Sequence, residues 1–162
     1  MKSAESTFDE IRKIDKHTID GMDQYAYLIY RRRDRSKLNK LSNDLLSLND
    51  QCSETWISVA LLCQITGEKD KCLSYLSKAA GLGTNNAFVH KVQGWIYQES
   101  GRPQHAAMCF FRALERSRDL ESLEGLVDAY ISCEKYKEAI VGKFTNRFNF
   151  QHYEQHKITF IL

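Results

Sequence analysis

Residues 87–120 read AFVHKVQGWIYQESGRPQHAAMCFFRALERSRDL, and two helices are written into them. Gly101 stands where the first must end, since helices commonly stop on a residue in the left-handed conformation that glycine adopts freely. Pro103 follows two residues later, where the first turn of a new helix has no use for an N–H. A shift of 34 residues carries Gly67, Cys72, Leu76 and Ala79 onto Gly101, Ala106, Phe110 and Ala113. It also carries Ala60 and Cys63 onto Gly94 and Tyr97. A shift of 33 then takes Tyr97 and Ala106 to Tyr130 and Ala139. Backwards, Trp56, Ala60, Cys63, Cys72 and Ala79 map onto Met22, Ala26, Ile29, Leu38 and Leu45.

Inside a block the apolar residues recur at helical spacing. Trp56, Val59, Ala60 and Cys63 form one stripe, and Leu73, Leu76, Ala79 and Ala80 the next. Ser53 is the predicted N-cap of the first. A period near 34 made of two helices marks a solenoid of helical hairpins. The fold predicted is therefore all-α, a stack of antiparallel helix pairs. Residues 1–18 form a lead-in, repeats cover 19–141 (19–52, 53–86, 87–119 and an incomplete 120–141), and 142–162 form an atypical tail. Small residues let the helices of a pair cross closely, with Ala60 expected to face Cys72 and Gly94 to face Ala106. Trp56, Tyr97, Phe110 and Tyr130 are expected to fill the wedges between pairs, and Ala79, Gly101, Ala113 and Ala139 complete the packing set.

Composition agrees. The 162 residues carry 23 Lys+Arg against 21 Asp+Glu, a formal net charge of +2, which argues against a polyanion binder. Eight Gly and one Pro are too few turn formers for a β-sandwich or barrel. Hydrophobic content of 43% is too high for a disordered tail. The longest apolar run, Ala106–Phe111, is far too short to span a bilayer, so no membrane association is expected. The start, Met1-Lys2-Ser3-Ala4-Glu5-Ser6, lacks the apolar core of a secretory signal. Cys52, Cys63, Cys72, Cys109 and Cys133 contain no Cys-x-x-Cys pair, which disfavours a zinc or redox site. Reduced thiols used as small packing residues fit an intracellular, nuclear or cytoplasmic protein.

Catalytic signatures are missing. Gly81-Leu82-Gly83 lacks a third glycine and follows a helix, and His152 with His156 has no third metal ligand. No catalytic residue, metal or cofactor is expected. Arg31-Arg32-Arg33-Asp34-Arg35 falls between Ile29 and Leu38, where the first turn belongs. It reads as a solvated turn whose arginines favour a helix C-terminus. The alternative is a nucleic-acid patch, as in helical repeats that read RNA, or an import signal. The next turn, Glu68-Lys69-Asp70-Lys71, is charge-neutral, so no basic stripe recurs.

The blocks resemble tetratricopeptide repeats, whose pattern is W-x-x-L-G-x-x-Y followed by A, F and A on the second helix. Gly94, Tyr97, Gly101, Ala106, Phe110 and Ala113 match that pattern; His90, Gln93 and Arg118 depart from it. The resemblance implies that the first helix of each pair lines a concave, protein-binding face. Its residues would be Tyr27 and Tyr30, preceded by Asp23, then Ile57, Leu61 and Gln64, then Lys91, Trp95 and Gln98. Tyr27 and Trp95 lead this set, because aromatic residues dominate interface hot spots. A co-chaperone clamp for a terminal carboxylate is the rival use. Lys91 alone does not supply the converging donors that such a clamp needs.

Ile19-Asp20-Gly21-Met22-Asp23-Gln24-Tyr25 resembles the entry to the repeat array in subunits of the anaphase-promoting complex. Leu123–Tyr130, with Lys137-Glu138-Ala139, is most similar to the subunit 7 branch. That resemblance implies a non-catalytic scaffold of a ubiquitin ligase that controls mitotic exit. Implied partners are the other repeat subunits and a second copy in a homodimer. After Ile140-Val141 the pattern fails: Asn146 stands where a small residue belongs, and Phe144, Phe148, Phe150, Tyr153 and Phe160 follow no helical stripe. Residues 142–162 are expected to be foreign to the repeats, in a truncated form.

Overall fold

The computed structural model describes residues 4–83 and 86–135. Ala139, the two tail histidines and the readings made for residues 142–162 lie outside the described residues. Among those described there are eight helices and no strand: α1 (Ala4–Ile14), α2 (Met22–Arg31), α3 (Arg35–Leu48), α4 (Ser53–Thr66), α5 (Lys69–Leu82), α6 (Ala87–Glu99), α7 (Pro103–Arg116) and α8 (Leu120–Ser132). None is long and apolar enough to cross a membrane.

The sequence period is also a backbone period. At the end of α4 the Gly67 N–H donates to the Gln64 carbonyl and the Glu68 N–H to that of Cys63. The same paired bonds close α2 at Arg33 (to Tyr30 and Ile29), α6 at Gly101 (to Gln98 and Tyr97) and α8 at Glu134 (to Ile131 and Tyr130). This arrangement satisfies carbonyls that have no partner within the helix and requires positive φ at one residue. The φ angles at positions 33, 67, 101 and 134 are 60°, 83°, 68° and 60°. Two of the four turns adopt that conformation without glycine.

Helix starts are equally local. Asp34 accepts from the Lys37 N–H at 2.9 Å, Asn86 from Phe88 at 2.9 Å, and Asp119 from Ser122 at 2.8 Å. Pro103 opens α7. Ser53 does not cap α4 as expected. Cys52 precedes the helix, and Ser53 is its first residue, buried, with Oγ accepting from the Asn86 side-chain amide at 3.0 Å.

Two compact units part between Gln93 and Gly94. In the first, α4 packs against α2, α3 and α5. Ala26, Leu38, Leu45, Ile57, Ala60, Leu61, Cys72, Leu76 and Ala79 are fully buried there. Trp56 is only half-buried; its indole N–H donates to the Asp50 carbonyl and Lys78 Nζ sits 3.4 Å above its ring. Trp56 therefore covers a surface instead of filling a buried wedge.

In the second unit the fully buried Phe110 is the pivot. A Cβ at Gly94 would lie 2.7 Å from its ring, and one at Gly125 2.6 Å. Helices α6 and α8 thus both approach the one ring through positions with no side chain. Gly94 was expected against Ala106, yet its nearest neighbours are ring atoms of Phe110. Ala106, Ala107, Leu126 and Ala129 surround that ring, with Trp95, Tyr97 and Tyr130 packed around the cluster. Ala113 is fully buried. Gly101 is exposed and nothing lies within 4 Å of its Cβ direction, so it makes a turn and does not pack.

Candidate protein-interaction surface

Within the first unit, the proposed concave face is filled by the chain itself. Tyr27 on α2 meets Phe88 on α6 edge to face at 5.9 Å and stacks with Tyr30 at 6.0 Å. Below this contact the Asn86 amide donates to Asp23 Oδ2 at 3.1 Å and to Ser53 Oγ at 3.0 Å, while Asn86 caps α6. One asparagine therefore ties together α2, the start of α4 and the start of α6. Burial pushes the Asp23 carboxyl above its ordinary value, against the Asn86 hydrogen bond that favours the charged form.

This closure relocates several of the expected groove residues. Ile57 and Leu61 are fully buried and Tyr30 is 3% exposed, so they offer a partner no side-chain surface. Buried apolar side chains at those places also remove any carboxylate clamp. Tyr27, Gln64 and Lys91 remain half-buried in this unit. In the second unit Trp95 and Gln98 are half-buried, and the Trp95 ring packs edge-on against Phe110 at 6.5 Å. Trp95 is thereby part of the hydrophobic cluster of its own unit.

The arginine-rich turn is exposed but occupied. Arg31 lies over Tyr27 and donates to its hydroxyl at 3.2 Å, Arg33 lies over Tyr30, and Arg32 pairs with Glu5. Among the described residues no three His, Cys, Asp or Glu side chains stand together as metal ligands. Burial pushes the Cys109 thiol up to about 11 and raises those of Cys63 and Cys52, which disfavours thiolate chemistry.

An apolar surface that repeat reading did not single out lies on α7 and the end of α8. Met108 is 58% exposed, Phe111 50% and Ile131 47%. Met108 and Phe111, with Tyr130 and Cys133, line an open trough of about 480 Å³, rimmed by Arg112 and Lys135. A signal existed in the sequence. Met108 and Phe111 are one turn apart on the face of α7 opposite its Ala106–Phe110–Ala113 stripe, where polar residues are usual. Large exposed apolar patches of this kind mark contact surfaces.

No protein-family model matches the chain. Anaphase-promoting complex subunit 7 of Arabidopsis thaliana is 33% identical over 133 residues, covering 82% of this chain and 24% of that protein. The Dictyostelium discoideum protein of the same name is 32% identical over 134 residues, covering 83% and 23%. Cell division cycle protein 27 homolog A of Arabidopsis thaliana is 23% identical over 92 residues, covering 57% and 13%. A crystal structure of MamA protein superposes with a TM-score of 0.64 at 14% identity, covering 96% of this chain and 87% of that one. The structural likeness supports the tetratricopeptide-type hairpin fold and nothing finer. The chain spans about a quarter of the length of the subunit 7 relatives it matches. Over that stretch the chain is a homologue of anaphase-promoting complex subunit 7.

Proposed function

We propose that this chain is a non-catalytic scaffold segment of an anaphase-promoting complex, docking against other tetratricopeptide subunits and serving mitotic control in the nucleus or cytoplasm. The observation that carries this reading is 33% identity to anaphase-promoting complex subunit 7 over 82% of the chain, with a weaker likeness to cell division cycle protein 27 homolog A over 57%. The filled face between α2 and α6 argues against a free peptide groove in the first unit, and the exposed Met108 and Phe111 give a scaffold a place to seat a further helix. Pairing with a second copy is part of the proposal. An RNA-reading function gains no support, because Arg31, Arg32 and Arg33 already face Tyr27, Glu5 and Tyr30.

Affinity purification of the tagged full chain from dividing cells tests the proposal. Other repeat subunits are expected to co-elute, and the Met108→Glu/Phe111→Glu variant is expected to lose them while keeping its helical spectrum. Absence of those subunits from the wild-type eluate would defeat the scaffold reading.

A further inference from the structure

Helix α1 is held unlike its neighbours. None of its residues is buried, and Ile14 is 89% exposed. Its grip includes one aromatic contact, a lattice of charges and a bond from Arg12 to the Met22 sulfur. Phe8 stacks on Tyr25 at 5.1 Å. Glu5 and Asp9, one turn apart, both accept from Lys37 Nζ, at 2.6 and 2.9 Å. Glu5 also pairs with Arg32, and the Tyr25 hydroxyl donates to Asp9. Further along, Arg12 reaches Asp44 at 2.8 Å, but an open trough of about 620 Å³ runs beside that bridge, bordered by Lys13 on α1 and Lys40 on α3. The side chains of Arg32, Asp9 and Lys37 are 61%, 39% and 31% exposed against 13% for Glu5, so each pair has a partner open to water and salt. Under α1 the Tyr25 ring is 2% exposed, a large aromatic surface kept dry by a loosely held cover.

We propose that the α2–α3 face formed by Tyr25, Arg32 and Lys37 is a docking site for an acidic amphipathic helix of a partner protein, with α1 as its built-in, displaceable occupant. Helix α1 itself defines the ligand. Two carboxylates at i and i+4 meet Lys37 and Arg32, and an aromatic residue at i+3 covers Tyr25. A partner helix with this pattern and further apolar residues gains burial that α1 leaves unused at Ile11 and Ile14, which are 37% and 89% exposed. Helix α1 competes because its tether gives it a high effective concentration, so displacement rises as its own grip is weakened.

The test uses the full chain and a labelled peptide of residues 4–14 as probe, read by fluorescence anisotropy. Phe8→Ala in the protein loosens its own α1 without touching the face, and the peptide is expected to bind at least ~10-fold more tightly than to wild type. Glu5→Gln/Asp9→Asn loosens α1 by a second route and is expected to act the same way. Adding Lys37→Glu to the Phe8→Ala chain is expected to abolish the gain. Equal peptide affinity in wild type and both loosened variants overturns the proposal, as does binding that survives Lys37→Glu. Dimerisation that is stronger in the Phe8→Ala chain than in wild type in sedimentation, without peptide, and is lost on adding Lys37→Glu, assigns the face to a second copy and overturns the partner-helix reading.

Discussion

Phe110 and Phe8 both sit where one helix crosses another, and they hold by different physics. Phe110 is fully buried, its ring pressed toward Gly94 on one side and Gly125 on the other. Phe8 stays half-buried on Tyr25, and the rest of α1 is held by Glu5, Asp9 and Arg12 reaching basic and acidic partners. The interior of the repeats is therefore fixed by shape, whereas the lead-in helix is fixed by charge. Shape fails when volume changes; charge fails with salt and pH.

The largest difference should follow from truncating the two rings. Phe110→Ala removes a buried ring between helices that cannot fully close, and should cost about 3–5 kcal/mol. Phe8→Ala should cost much less, because the site is already wet. Urea denaturation of both variants measures the contrast, and similar losses would erase it.

Acid should separate the regions next. The hydrogen bond from Tyr25 and the Lys37 ammonium hold the Asp9 carboxyl below its ordinary value of 3.8, with Lys13 adding to the field from α1 itself. A depressed carboxylate stabilises the folded state above the unfolded value, and this contribution is lost as pH falls through the lowered one. Asp23 has the opposite sign: its carboxyl is raised by burial, so its contribution is largest at low pH and declines as pH rises. Hydrogen exchange on acidification below pH 3.8 should show α1 amides losing protection while those of α4 and α5 keep theirs. Simultaneous loss would mean that α1 is bound as firmly as the repeats. On the alkaline side, burial and the Asp9 hydrogen bond push the Tyr25 phenol up to about 12, so its contribution is complete below 10.0 and is lost as pH rises from there to about 12.

The smallest effect concerns the turns. Gly67 and Gly101 meet the left-handed requirement without strain, but Arg33 meets it at φ 60°. Arg33→Gly should stabilise by about 0.5 kcal/mol, the relieved strain being partly offset by chain entropy and the lost contact with Tyr30. A decrease in the denaturation midpoint would show that the Tyr30 contact outweighs the strain.

The turns were legible because their chemistry is local. Glycine at 67 and 101 and proline at 103 need only their immediate neighbours to act, so a sliding comparison finds the hairpins. Burial across blocks is not local. Ile57, Leu61 and Tyr30 share the spacing of groove residues, and the Tyr27–Phe88 and Asp23–Asn86 contacts that accompany their burial join distant blocks. Gly125 escaped notice for a register reason. The position 33 after Gly94 is Val127, so the glycine that meets Phe110 from α8 lies two residues off the period. The start of α4 shifted for a third reason: Ser53 is drawn into the Asn86 network, which outweighs its local tendency to cap.

A double-mutant cycle between Gly94 and Phe110 in the full chain, read by urea denaturation, tests the account most directly. Gly94→Ala alone places a methyl against the Phe110 ring and should cost about 1–3 kcal/mol. Because Phe110→Leu makes room for that methyl, the two losses should fall short of additivity by about 1 kcal/mol or more. Strictly additive losses, or a harmless Gly94→Ala, would contradict a second unit held together by one ring fitted between glycines.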